Sequence, residues 1–389
     1  MLLSYSAKNF YCFKEGLEVS FKLGKSCPQE ISNNKDFTNV LCVKGANGAG
    51  KSNALKVLGF LRWFCQDSFL LKPEEPINYK PFFNNTNPSE FSVEFSVDGI
   101  IYQYDLSIRK DEVLNEKLSK TVKRSKTLFT RTKNKVETIA DFDKLKNIKL
   151  RSNASIISTA HQYELKELAV AYSFFEKIIP LNTTLPKLIY NTNDIIRNSQ
   201  PFAGLHSINQ NYYNFPEAFA FTKTILKKFD LGIKDIKIKK IQIDKDNIEY
   251  NPYFVHENNK KEYELPFELE SCGTRILYNQ LFYYYVVLQM GGVFVLDEFD
   301  LNLHPDILPL LIDLFTNEET NLHNAQLLFT THNSEILNTL GKYRTILVNK
   351  EANESYLYRL DELPGDIIRN DRPLEPVYRS GRIGGVPKV

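Results

Sequence analysis

Hydrophobic and polar positions alternate through the first fifty residues, with Leu17, Val19 and Phe21 spaced by two. The apolar run 40–43 then leads into a glycine-rich stretch, a pattern that predicts strands feeding a loop. Between residues 53 and 71 the period changes: Leu55, Leu58, Leu61 or Arg62, and Phe64 or Cys65 recur at helical spacing until Pro73 ends the pattern. Residues 91–97 and 100–108 alternate again around Asp98-Gly99, a tight-hairpin signal, and the meander continues through 127–131. From 160 to 232 the helical period returns. Leu165, Leu168, Tyr172 and Phe175 share a face, as do Ala218, Phe221, Ile225 and Phe229 behind a Pro216 start. Pro180, Pro186 and Pro201 interrupt this segment, and it holds too few heptads for a long coiled coil. Ile236, Ile238, Ile241 and Ile243 restore strand spacing, and the remainder alternates strand and helix as a parallel sheet requires. The expected class is α/β, with an antiparallel β subdomain and a helical insertion. The expected division is an N-terminal lobe at 1–159, the insertion at 160–232 and a C-terminal lobe at 233–389.

Composition narrows this picture. With 389 residues, 42% hydrophobic and 25% charged, the chain has enough apolar content for a folded core. Its 49 basic residues nearly cancel its 47 acidic ones, so no whole-chain electrostatic case exists for nucleic acid or an anionic membrane. The local exception is 117–151, where twelve Lys/Arg face three Asp/Glu; lysines on edge strands also serve to block aggregation. Five scattered cysteines without C-x-x-C spacing argue against a disulfide framework or a zinc site and fit a cytoplasmic protein. The most apolar stretch, 278–296, is broken by Asn279, Gln280, Gln289 and Gly291-Gly292, and the N-terminus has no uninterrupted apolar segment. Neither a membrane span nor a signal peptide is expected.

The chemistry concentrates in two places. Gly45-Ala46-Asn47-Gly48-Ala49-Gly50-Lys51-Ser52 matches G-x-x-x-x-G-K-[ST] between a predicted strand and a predicted helix. Glycines let successive backbone N–H groups turn toward phosphate oxygens, Lys51 reaches the β/γ-phosphates, and Ser52 ligates Mg²⁺. Far downstream, Val293-Phe294-Val295-Leu296 ends in Asp297-Glu298, a Walker B pattern. A buried strand there carries an acid to the sheet edge, so Asp297 holds the Mg²⁺ shell while Glu298 activates the attacking water. ATP is the expected substrate.

Two further pieces complete an order. Glu270-Ser271-Cys272-Gly273-Thr274 opens a long predicted helix, and the apolar run 327–331 ends in His332. This succession resembles the ABC-type ATPases, whose signature motif, Walker B and switch histidine come in that order. The stretches GANGAGKSN, ESCGT, FVLDEFDLNLHP and FTTHNSEIL are similar to the branch of chromosome-maintenance and overcoming-lysogenization-defect (OLD) ATPases. The closing YRSGRIGGVP resembles small stand-alone ATPases of bacterial phage-defence operons, such as the ATPase subunit of phage anti-restriction-induced (PARIS) systems. The resemblance implies an ABC-type P-loop NTPase head in which Ser271 and Gly273 contact ATP bound to a second protomer. It makes His332 the switch histidine and residues 303–305 the D-loop, with His304 where transporter ATPases carry aspartate. Asn47 and Asn53 fit the branch's P-loop spelling. Gln162 is taken as the Q-loop ligand to Mg²⁺. Tyr5, Phe10, Tyr11 and Phe13 all lie near enough in sequence to stack on adenine, and none is singled out.

The resemblance further implies a homo-oligomer, at least a dimer. Its output would pass to a separate effector, a nuclease or toxin, with a nucleic acid or phage protein as trigger. A DNA-repair or chromosome-associated clamp is the alternative. An OLD-type nuclease in one chain is disfavoured, because the stretch after His332 is shorter than a compact catalytic domain of about 100 residues. A transporter ATPase is disfavoured by the absence of an LSGGQ spelling.

Overall fold

In the computed structural model, which describes residues 1–182, 187–188, 205–244, 248–365 and 367–386, strands β1 (Leu2–Lys8) and β2 (Leu17–Ser20) pair antiparallel. Strand β3 (Val40–Gly45), buried throughout, runs through the glycine loop into the helix Lys51–Asp67. A meander follows: β4 (Ser89–Val97), β5 (Ile100–Ile108), β6 (Val113–Thr121), β7 (Ser125–Thr132) and β8 (Lys135–Thr138). Next come β9 (Ile178–Asn182) and β10 (Lys187–Leu188), then β11 (Ile233–Gln242), β12 (Ile248–Asn258) and β13 (Lys261–Pro266). The last strands are β14 (Val293–Asp297), β15 (Gln326–Thr330), β16 (Thr345–Glu351) and β17 (Glu354–Arg359).

Among the described residues three sheets result. One is antiparallel in the order β2-β1-β4-β5-β6-β7-β8, and a small one runs β11-β12-β13. Between helices lies the sheet β10-β9-β14-β15-β3-β16-β17, in which β9, β14, β15, β3 and β16 are parallel. Strand alternation divides the core between its two faces. Leu41, Val43, Val295 and Leu328 pack with the helix Lys51–Asp67 and the antiparallel sheet. Val40, Cys42, Phe294, Leu296 and Phe329 pack with the helices Cys272–Met290 and Ile307–Thr316. The architecture is the expected α/β P-loop NTPase head with an antiparallel β subdomain and a helical insertion.

Several local expectations can be placed. Asp98-Gly99 makes the hairpin, with φ of 50° and 76° at the two residues and Val97 opposite Ile100. Among the described residues of 160–232 the α-helices include Ala169–Glu176, Leu205–Asn214 and Pro216–Phe229. Pro186 and Pro201 lie outside the described residues. The same span also contains β9, a strand of the parallel sheet; its five residues form a short apolar run that periodicity alone does not separate from helix. The described helices of the insertion are part of the core. Tyr212 Oη donates to the Tyr278 carbonyl at 2.7 Å, and Tyr278 Oη donates to Asn209 Oδ1 at 3.1 Å. In the basic segment 117–151, Arg131 is fully buried against Glu116, and Arg151 donates to the carbonyls of Phe69 and Leu71, so both are structural. Among the described residues no helix is long and apolar enough to cross a membrane, and all five cysteines are free thiols.

Candidate functional site

The sheet order places the ends of β3, β15 and β14 side by side, which is where the functional loops leave the sheet. The first loop, Gly45 to Ser52, requires glycine at position 50. Gly50 has φ of 115°, and a Cβ there would stand 2.7 Å from Cys12 Sγ. Lys51 opens the helix and is nearly buried; its Nζ donates to the carbonyls of Gly45 at 2.9 Å and Ala46 at 3.1 Å. Burial pulls its pKa below the usual lysine range, against the opposing pull of the Asp297, Glu298 and Asp300 carboxylates. Ser52 and Asn53 are half-buried in the first helical turn, Asn47 and Gly48 are exposed, and Ala49 is buried. Asn53 Nδ2 donates to Cys12 Sγ at 3.1 Å, and Ala49 O accepts from Ser355 Oγ at 2.6 Å.

The second and third loops are joined through one hydroxyl. Thr330 Oγ1, at the end of β15, donates to Asp297 Oδ1 at 2.6 Å and accepts from the Glu298 N–H at 2.7 Å. Glu298 takes φ of 59°, left-handed backbone that disfavours any residue but glycine. The hydrogen bond from its N–H to Thr330 Oγ1 holds the backbone in this conformation. Two residues on, the Asp300 carboxylate accepts from the N–H groups of His332, at 3.1 Å to each oxygen, and of Asn333 at 3.0 Å. His332 itself is exposed. The Asp297–Asp300 loop and the Thr330–Asn333 loop are therefore one hydrogen-bonded unit beside Lys51.

The donor set fits Mg²⁺ with ATP. Ser52 and Asp297 offer hard oxygens, and this ion usually takes only one or two protein ligands beside phosphate and water.

Ser271 and Gly273 form a separate surface. Ser271 caps the helix Cys272–Met290, its Oγ accepting from Thr274 N at 3.1 Å, and it is exposed. A Cβ at Gly273 would stand 2.7 Å from Asn302 O, so the glycine lets this helix start touch the backbone of the loop after Walker B. In that loop, His304 is exposed and contacts Asp306 at 3.4 Å. Thr274 Oγ1 donates to Asp230 Oδ2 at 3.1 Å, which brings the loop at Leu231 alongside.

The Q-loop assignment needs correcting. Gln162 ends the helix Ile156–Gln162, in which Ser158 Oγ donates to Gln66 O and accepts from Phe69 N. Those partners lie at the far end of the helix Lys51–Asp67, whose 17 residues span about 25 Å from the phosphate loop at 1.5 Å per residue. The strand beside Walker B is β9, and the backbone position opposite Asp297 belongs to Asn182. Sequence reasoning also missed Thr330 and Asp300, although both lie inside the quoted motifs, as the first threonine of FTTHNSEIL and the second aspartate of FVLDEFD. Of the aromatic candidates for adenine, Tyr5, Phe10 and Phe13 are core residues, whereas Tyr11 is half-buried with Lys56 Nζ 4.7 Å from its ring centre.

A family model described as "AAA domain, putative AbiEii toxin, Type IV TA system" matches residues 40–338. Among solved structures, the chain is similar to the Smc head domain with an extended coiled coil bound to the C-terminal domain of ScpA from Pyrococcus furiosus. Identity there is 11% and the TM-score 0.45, over 93% of this chain and 97% of that one. No curated protein matches the chain.

Proposed function

The chain belongs to this AAA-domain family, and on that premise we propose that it is an ATP-hydrolysing regulatory subunit of an anti-phage defence system that controls a separate nuclease or toxin. The observation that carries the enzymatic part is the Thr330 bridge: one buried hydroxyl sets both the Walker B aspartate and the backbone of Glu298 beside Lys51. In this reading Lys51 and the loop N–H groups bind the phosphates, and Ser52 and Asp297 would hold Mg²⁺, whose chemistry is to neutralise charge on the leaving phosphates. Glu298 takes the proton of the attacking water, and His332 senses the γ-phosphate.

Closure as a dimer or higher oligomer would bring Ser271 and Gly273 of one copy to the ATP of another. Leu231 and Leu269, 93% and 68% exposed, flank this signature surface and are the kind of apolar contact that a second copy covers. The toxin–antitoxin wording of the family description supports a defence role over a chromosome clamp.

The test is Glu298→Gln. It keeps the phosphate and metal contacts, so ATP should bind with near wild-type affinity while turnover falls by about 10²–10³-fold. Wild-type turnover in the purified variant would remove Glu298 from the chemistry.

A further inference from the structure

The reading above leaves Lys44 without a role. It is the fifth residue of β3, one position before Gly45, and is 2% exposed on a strand whose other side chains are apolar or glycine. Its Nζ donates to the carbonyl oxygens of His332 at 3.0 Å and Asn333 at 3.1 Å. The N–H groups of the same two residues are taken by the Asp300 carboxylate. The backbone of the switch loop is thus gripped on both sides, its amides by an anion from the Walker B loop and its carbonyls by a cation from the P-loop strand.

A third partner comes from the C-terminal segment. The Tyr378 ring, in the helix Leu374–Arg379, lies 5.0 Å from Lys44 Nζ. Its hydroxyl donates to Gly385 O at 2.8 Å, and Gly385 N donates to Asn349 Oδ1 at 2.7 Å, which fastens the segment to β16. Leu374, Tyr378 and Ile383 share an apolar cluster with Leu337 and Leu347. A buried ammonium is unfavourable unless partnered, and an apolar residue of the same length would fill this space at less cost. What lysine adds is the pair of hydrogen bonds to the loop that carries His332.

We propose that Lys44 is a positioning residue that holds the switch-histidine loop, and that Tyr378 makes the docked C-terminal segment a third support of that loop. The proposal rests on His332 acting in hydrolysis, but the clamp itself is measurable without ATP turnover. In Lys44→Met the loop loses two hydrogen bonds to a charged donor. Turnover should fall about ten- to a hundred-fold, with KM for ATP within about two-fold because the Lys51 contacts remain. Amide exchange over 332–335 should quicken in the nucleotide-free protein. Because the effect runs through His332, Lys44→Met/His332→Ala should be no slower than His332→Ala alone. Tyr378→Leu, which keeps the apolar volume, should quicken the same amides and lower turnover by a smaller factor, and it serves if Lys44→Met does not fold. The proposal is overturned if the folded variants exchange 332–335 at the wild-type rate, or if the double variant loses the product of the two single effects. Should His332→Ala hydrolyse ATP normally, the reading of His332 fails, while the exchange rates still decide whether Lys44 holds the loop.

Discussion

Thr330→Val is the sharpest test of how the proposed hydrolytic site is built, because it removes one oxygen and nearly preserves shape. Thr330 is 1% exposed, and its hydroxyl has two partners: it donates to Asp297 Oδ1 and accepts from the Glu298 N–H. Losing a hydrogen bond to a charged acceptor costs about 1.5–3 kcal/mol, and leaving a desolvated N–H without its acceptor costs about 1–3 kcal/mol. The added methyl returns about 0.8 kcal/mol. The net loss is therefore about 2–5 kcal/mol, a shift in urea midpoint at unchanged slope. Glu298 would also lose the bond that holds its left-handed backbone, a conformation that itself costs about 1–3 kcal/mol. Turnover should drop about ten-fold or more, since each 1.4 kcal/mol of lost alignment is worth that factor. ATP affinity, set by the Lys51 loop, should change little. Urea denaturation beside steady-state hydrolysis and equilibrium nucleotide binding gives all three numbers. A variant with the wild-type midpoint and wild-type turnover would refute the reasoning, since neither partner of the hydroxyl would then depend on it.

Two other outcomes follow from the site. Ser271→Arg should leave ATP affinity near wild type and abolish turnover, Lys51→Ala should abolish binding, and a mixture of the two should regain partial activity through one intact composite site; no recovery at any ratio counts against catalysis shared between copies. Gln162→Ala should hydrolyse ATP within about two-fold of wild type, since the residue sits at the far end of the helix that begins at Lys51; a loss of ten-fold or more would restore it to the site.

What could be read from the chain alone was local in sequence or repeated along it. The phosphate loop is eight consecutive residues, and the turn at Asp98-Gly99 needs only those two to take left-handed backbone. The Walker B strand announces itself as an apolar run ending in two acids, because a strand buried on both faces is mostly apolar until it reaches the sheet edge. Tertiary structure decided which distant pieces meet. Residue 162 follows an apolar run and precedes helices, as a Q-loop should, yet the strand that pairs with Walker B is the five-residue run 178–182, too short for periodicity to distinguish from the surrounding helices. Lys44 stands in sequence just after the apolar run 40–43, and only the structure includes it in the strand. Its meaning appears only when β3 and β15 lie side by side, bringing its ammonium to carbonyls 288 and 289 residues away. Asp300 and Thr330 likewise stand in plain sight within the motifs, but a hydrogen bond depends on angles and separations of about 3 Å that no linear spacing specifies. The chain's order of motifs thus determined the class of chemistry, while strand order, a non-local property of the folded sheet, decided which side chains orient it.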